Sequence, residues 1–180
     1  LQIQNSKFQK GKYVAGETEG EVYQALGLEY IEPELRENMG EIEAAQNGKL
    51  PELVKLGDIR GDLQMHTIWS DGSHTIKEMA EAAKKLGYEY IAITDHTSEL
   101  HIAGGMDGKT ILRYAAEIDK INKELEDIKI LKGVEVNIRK DGSLDISDDV
   151  LSKLDIVLAA AHSNFKRPKA EMTKRICRAM

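Results

Sequence analysis

Four times between residues 58 and 180, a short apolar run ends in or carries an imidazole or carboxylate and then gives way to a helical segment. The first is Gly61-Asp62-Leu63-Gln64-Met65-His66, which opens into Thr67-Ile68-Trp69-Ser70-Asp71-Gly72. The later runs end in Asp95-His96, carry Glu135, and end in His162. Strand-length apolar runs alternating with helices describe an α/β chain with a parallel sheet, either barrel or doubly wound. Parallel strands point one way, so residues at their C-terminal ends gather on one face. Three of the five histidines stand at equivalent places in this pattern, which scatter would seldom produce.

The helical segments are legible from their caps and stripes. Thr75 and Glu78 have capping-box spacing and open a helix through Met79, Ala82, Ala83 and Leu86 that stops at Gly87. Ile111, Tyr114, Ala115, Ile118, Ile121 and Leu125 mark the apolar face of a longer helix. A short helix is expected near 148–154, and Pro168 prepares a last one through Met172, Ile176 and Met180. Strands are expected at 62–66, 88–94, 128–138 and 155–161. Four β/α units do not close a barrel, so we expect an open sheet or a truncated chain.

Residues 1–50 read differently. Thr18 with Glu21 caps a short helix, Pro33 opens a second, and 41–46 forms a third that ends at Asn47-Gly48. These pieces are small and charged, so 1–50 is expected to be an appendage or linker, with 51–180 as the main domain. The start at Leu1, without an initiating methionine, reads as a piece cut from something longer.

Composition narrows the function. A net charge of −6 lacks the dense basic coat of a protein that binds nucleic acid by charge alone. The single cysteine, Cys177, excludes an intrachain disulfide and suits a reducing compartment; helix packing is its expected role. No stretch approaches the roughly 20 apolar residues that cross a bilayer, so a cytoplasmic protein with no membrane partner is expected.

His66, Asp71, His96, Glu135 and His162 are the residue types that bind zinc, manganese or iron, and paired ions of this kind are the usual apparatus of phosphate-ester hydrolysis. His74 and His101 fall outside the pattern, although His101 is a candidate for substrate contact. Lys166, Arg167 and Lys169 could meet phosphates or simply form a solvated loop. Gly104-Gly105 reads as an ordinary loop rather than a phosphate cradle, and Trp69 as packing over the first strand rather than a base-stacking surface.

Gly61 to Thr67 with Ser70-Asp71-Gly72, then Thr94-Asp95-His96, Gly133-Val134-Glu135 and Ala161-His162-Ser163, resemble the first motifs of the polymerase-and-histidinol-phosphatase (PHP) phosphoesterase domain. The segments Val14 to Glu19, Ala25 to Leu28 and Pro33 to Arg36 are similar to the end of the polymerase thumb and linker in bacterial and archaeal family X DNA polymerases, where a PHP domain follows. The resemblance implies part of a distorted seven-stranded β/α barrel with up to three divalent ions, manganese or zinc. It implies 3′-to-5′ exonuclease action on DNA in the full-length polymerase. It also makes His66, Asp71, His96, Glu135 and His162 the metal ligands, with Glu135 as bridge and Glu135 and His66 acting in catalysis through bound metal.

Two departures qualify the resemblance. The motif's usual His-x-His has Gln64 in first place, and a neutral amide is a poorer ligand, so one ion would be weakly held or missing. The family's later ligands would lie beyond Met180, so the chain alone is expected to be inactive. A free-standing phosphatase acting on a small phosphomonoester, and a scaffold with a decayed site, are the competing readings.

Overall fold

The computed structural model describes residues 15–180. Backbone contacts divide the chain into two compact units, one through Val54 and the other from Lys55.

In the first unit, α1 (Glu19–Ala25) and α2 (Glu41–Gln46) flank a single 3-10 turn at Pro33–Leu35. Thr18 caps α1 by accepting from the Glu21 amide at 3.2 Å, while the Glu21 carboxylate accepts from the Glu17 amide at 3.0 Å instead of closing the expected box on Thr18. Ile31 and Ala45 are this unit's only buried apolar residues among those described. The unit is tied instead by Arg36, whose guanidinium donates to both Glu19 oxygens at 3.1 and 3.0 Å and lies near the Tyr23 and Tyr30 rings. A planar fork matched to a carboxylate holds geometry where little apolar area is available.

The second unit is a curled half-barrel of four parallel strands in chain order: β1 (Gly61–Met65), β2 (Tyr90–Ile93), β3 (Lys129–Asn137) and β4 (Ile156–Ala160). The connections carry α3 (Ile76–Lys85), α4 (Gly108–Glu124) and α5 (Asp148–Leu151), and α6 (Lys169–Ala179) follows β4. The strands and helices predicted for this unit all form, with ends shifted by a few residues, whereas the helix expected from Pro33 is only the 3-10 turn. Thr75 and Glu78 complete the expected capping box on α3.

Strand pleat sorts the sheet into two faces, since successive side chains alternate. Ile91, Ile93, Ile130, Val134 and Val136 point toward the helices and join Ile76, Ile111, Tyr114 and Ile118 in the core. The other face carries Gln64 and His66, Thr94 and His96, Glu135 and Asn137, and His162. In-register pairing keeps these neighbours side by side: Glu135 opposes Leu158, Asn137 opposes Ala160, and a bridge beyond β2 pairs His96 with Glu135.

Four residues take roles other than those expected, or settle between the two weighed. Trp69 packs against the core, edge-on to Tyr114 with centroids 5.8 Å apart. Gly105 is required by close approach, because a Cβ there would stand 2.0 Å from the Thr97 carbonyl oxygen. Cys177 is exposed, not packed. The residue that α6 turns inward is Arg175, 2% exposed, which donates to the carbonyls of Arg139 at 2.9 Å, Ser163 at 2.8 Å and Ile138. Cys177 lies two positions on, roughly 200° around the helix, on the opposite side.

No described helix is long and apolar enough to cross a membrane. The fully buried Tyr114 hydroxyl donates within 2.6 Å of the Ile93 carbonyl and 3.1 Å of the Gly133 carbonyl, pinning α4 across β2 and β3. Tyr114→Phe should therefore lower unfolding free energy by about 1–2 kcal/mol in denaturant titration.

Candidate metal centre

The C-terminal ends of the four strands bring His66, Asp71, His96, Glu135 and His162 into one cluster, with Gln64 beside them. Two overlapping triads have donor atoms within 4.8 Å of one another: His66, Asp71 and His96, and His96, Glu135 and His162. Glu135 is the centre. Its Oε1 lies 2.8 Å from His162 Nε2 and 3.8 Å from His96 Nδ1, and its Oε2 lies 3.4 Å from His66 Nε2. Gln64 Nε2 donates to Glu135 Oε2 at 2.7 Å.

Proton placement follows from the partners. Asn137 Nδ2 donates to Asp145 Oδ2 at 2.8 Å and to Thr97 Oγ1 at 3.2 Å, which turns its amide oxygen toward His162 Nδ1, 2.7 Å away. An amide oxygen only accepts, so Nδ1 carries a proton and the ring is turned with Nε2 toward Glu135. His66 Nδ1 likewise faces Asp71 Oδ1 at 2.9 Å, freeing Nε2.

Two buried nitrogens, His66 Nε2 and His96 Nδ1, have no hydrogen-bond partner. Buried polar atoms are normally satisfied, and lone pairs converging on a carboxylate are repulsive without a cation among them. The donor set therefore fits divalent metal. Neutral imidazole has one free lone pair, so His96, though shared by both triads, serves one ion at a time.

Charge is arranged to suit that role. Burial depresses the pKa of His96, reinforced by the charge of His66, which keeps the ring neutral and ready to ligate. Burial alone would raise Asp71, but its hydrogen bond to His66 and the histidine charges hold it below the ordinary carboxylate range.

Asp95, adjacent to His96, is not part of the cluster. Fully buried, it accepts from the Thr67 amide at 2.8 Å, Thr67 Oγ1 at 2.7 Å and Ser70 Oγ at 2.6 Å, so it fastens the β1 loop to the end of β2. Asp145 plays the same part under Asn137, accepting from Thr97 Oγ1 and the Asn137 amide at 2.7 and 2.9 Å. Sequence reading missed Asn137 and Asp145. Asn137 was findable, two places beyond Glu135 and hence on the same face; Asp145 lies in a loop and carries no such signal.

His74 is exposed and outside the cluster. His101 begins the 3-10 turn His101–Ala103, but its side chain lies outside what is described. Arg167 donates to the Lys140 carbonyl at 2.9 Å and pairs with Glu171 at 3.5 Å, whereas Lys166 is exposed.

A family model for the PHP domain matches residues 62–177, and one for the DNA polymerase beta thumb matches residues 3–37. The chain belongs to the PHP domain family. It is 48% identical over 159 residues to DNA polymerase/3′-5′ exonuclease PolX of Bacillus subtilis (strain 168), covering 88% of this chain and 28% of that protein. A probable phosphatase of Thermoanaerobacter sp. (strain X514) is 37% identical over 115 residues, 63% of this chain and 44% of that protein. A probable phosphatase of Proteus mirabilis (strain HI4320) is 35% identical over 103 residues, 56% of this chain and 40% of that protein. The chain thus spans less than half the length of these relatives.

Partners that orient a ligating histidine typically change metal affinity by about 10- to 100-fold when removed. Asn137→Ala should weaken manganese or zinc binding by about that factor in titration calorimetry, with the fold intact by circular dichroism.

Proposed function

We propose that residues 1–50 are the end of a polymerase thumb with its linker, that 51–180 belong to a PHP phosphoesterase domain, and that this domain hydrolyses phosphodiesters at DNA 3′ ends within a family X DNA polymerase. The observation carrying this reading is the presence on one chain of a thumb match at 3–37 and a PHP match at 62–177, with 48% identity to PolX over 88% of the chain. DNA is then the partner, reached through the full-length polymerase, and the cytoplasm is the compartment.

His66, Asp71, His96, Glu135 and His162 would hold the divalent ions, manganese or zinc and up to three in a whole domain. When bound, such ions polarise phosphoryl oxygens and lower the pKa of water. The chain's own groups supply order. Glu135 sits between the histidines, Gln64 restrains its second oxygen, and Asn137 fixes the tautomer of His162. Gln64 is thus a restraint on Glu135 rather than a ligand. The nearby hydroxyls of Thr67 and Ser70 are committed to Asp95. That favours water over a protein hydroxyl as the attacking group.

Identity of 37% and 35% to probable phosphatases supports a second reading, hydrolysis of a small phosphomonoester. Comparing release from a 3′-labelled single-stranded oligonucleotide with release from histidinol phosphate, in a polypeptide of the polymerase's length, separates the two. Manganese-stimulated loss of the 3′ nucleotide is expected; turnover of histidinol phosphate alone favours the second reading. His66→Ala combined with Glu135→Ala should reduce 3′-end release by at least about 10²-fold and lower bound metal. Full activity and metal content in that variant would sink the assignment.

A further inference from the structure

An open cavity of about 590 Å³ lies between the chain that follows β3 and the chain that follows β4. Lys140 borders it on one side and Asn164, Phe165, Lys166 and Arg167 on the other. Neither ammonium, of Lys140 or of Lys166, pairs with any described residue. Arg167 is partly neutralised by Glu171, also on the rim, so three cations face one carboxylate in a chain whose net charge is −6.

The same rim exposes an aromatic ring. Phe165 is 66% exposed, and the loop that presents it is anchored rather than loose. Arg175 holds the Ser163 carbonyl at 2.8 Å, Arg167 reaches across to the Lys140 carbonyl at 2.9 Å, and the Arg167 amide donates to the Phe165 carbonyl at 3.0 Å. Asn164 takes a left-handed φ of 58°, which turns the chain just before the ring. Phe165 is three residues beyond His162, and Lys140 three beyond Asn137, which touches His162. Three residues span at most about 10 Å, so the backbone of this rim stays within that reach of the cluster's His162 and Asn137.

An exposed ring flanked by uncommitted cations matches the recognition of unpaired nucleotides, in which bases stack on aromatic faces and phosphates meet basic side chains. We propose that this cavity is a subsite for single-stranded nucleic acid, in which Phe165 stacks on a base of the strand entering the metal cluster and Lys140 and Lys166 hold its phosphates. The subsite rests on the phosphodiester reading above and refines it. A small phosphomonoester has neither a second base nor a second phosphate to occupy it.

Fluorescence anisotropy of a labelled thymidine oligomer and of an abasic oligomer of equal length, both in chelator, tests the subsite on the protein as it stands. Phe165→Ala should weaken the thymidine oligomer roughly 5- to 100-fold and leave the abasic one nearly unchanged, with Phe165→Trp restoring affinity. Lys140→Ala with Lys166→Ala should weaken both oligomers and flatten the log–log salt slope by about 0.7 per lost phosphate contact. Equal loss of both oligomers in Phe165→Ala, or an unchanged salt slope in the lysine pair, would overturn the proposal. Because chelator removes metal, the expected pattern supports the subsite even if a polypeptide of the polymerase's length fails to hydrolyse DNA with manganese. That second result would overturn the phosphodiester reading alone.

Discussion

A buried carboxylate with too few donors organises this protein. Glu135 is 5% exposed on an inner strand, and the groups around it are one amide and three imidazoles, not arginine or backbone N–H. Burying an uncompensated charge costs several kcal/mol. The contrast with Asp95 is direct, because Asp95 is equally buried yet accepts three short hydrogen bonds from Thr67 and Ser70. One carboxylate is satisfied by hydroxyls and an amide and holds the fold; the other stands among imidazoles in a donor set that could hold a cation.

The parallel sheet converts this local chemistry into a shared site. Glu135 pairs with His96 across one ladder and stands in register with Leu158 on the other, so the ends of β2, β3 and β4 cannot move independently of the cluster. Behind it, Asp145 accepts from Thr97 and Asn137, and Asn137 in turn orients His162. Hydrogen-bonded carboxylates set one layer back, Asp95 and Asp145, thus fasten the ends of β1, β2 and β3, and Asn137 passes that hold on to His162. Such backing keeps the donor atoms within reach of one another.

Gln64 adds a donor beside Glu135 where the rest of the cluster offers ring nitrogens and carboxylates. The motif position favours imidazole, which offers a lone pair; the amide offers a proton and spends it on Glu135. The likeness to both a polymerase exonuclease and probable phosphatases is consistent with a shared hydrolytic core whose substrate is set by surrounding loops.

The β/α order, the cap of α3, the core stripe of α4 and the gathering of His66, His96, Glu135 and His162 were legible in the sequence, because period and strand polarity are local properties. Tertiary structure alone decided what each polar residue does once gathered. Asp95 and Glu135 look alike in sequence, both acidic residues at the C-terminal part of a strand, yet one faces hydroxyls and the other lone pairs. Arg175 and Cys177 share an amphipathic helix, and only the carbonyls left by Ile138, Arg139 and Ser163 select which of them turns inward. Hydrogen-bond partners drawn from distant segments carry no sequence period, so their pairing appears only when the strands lie side by side.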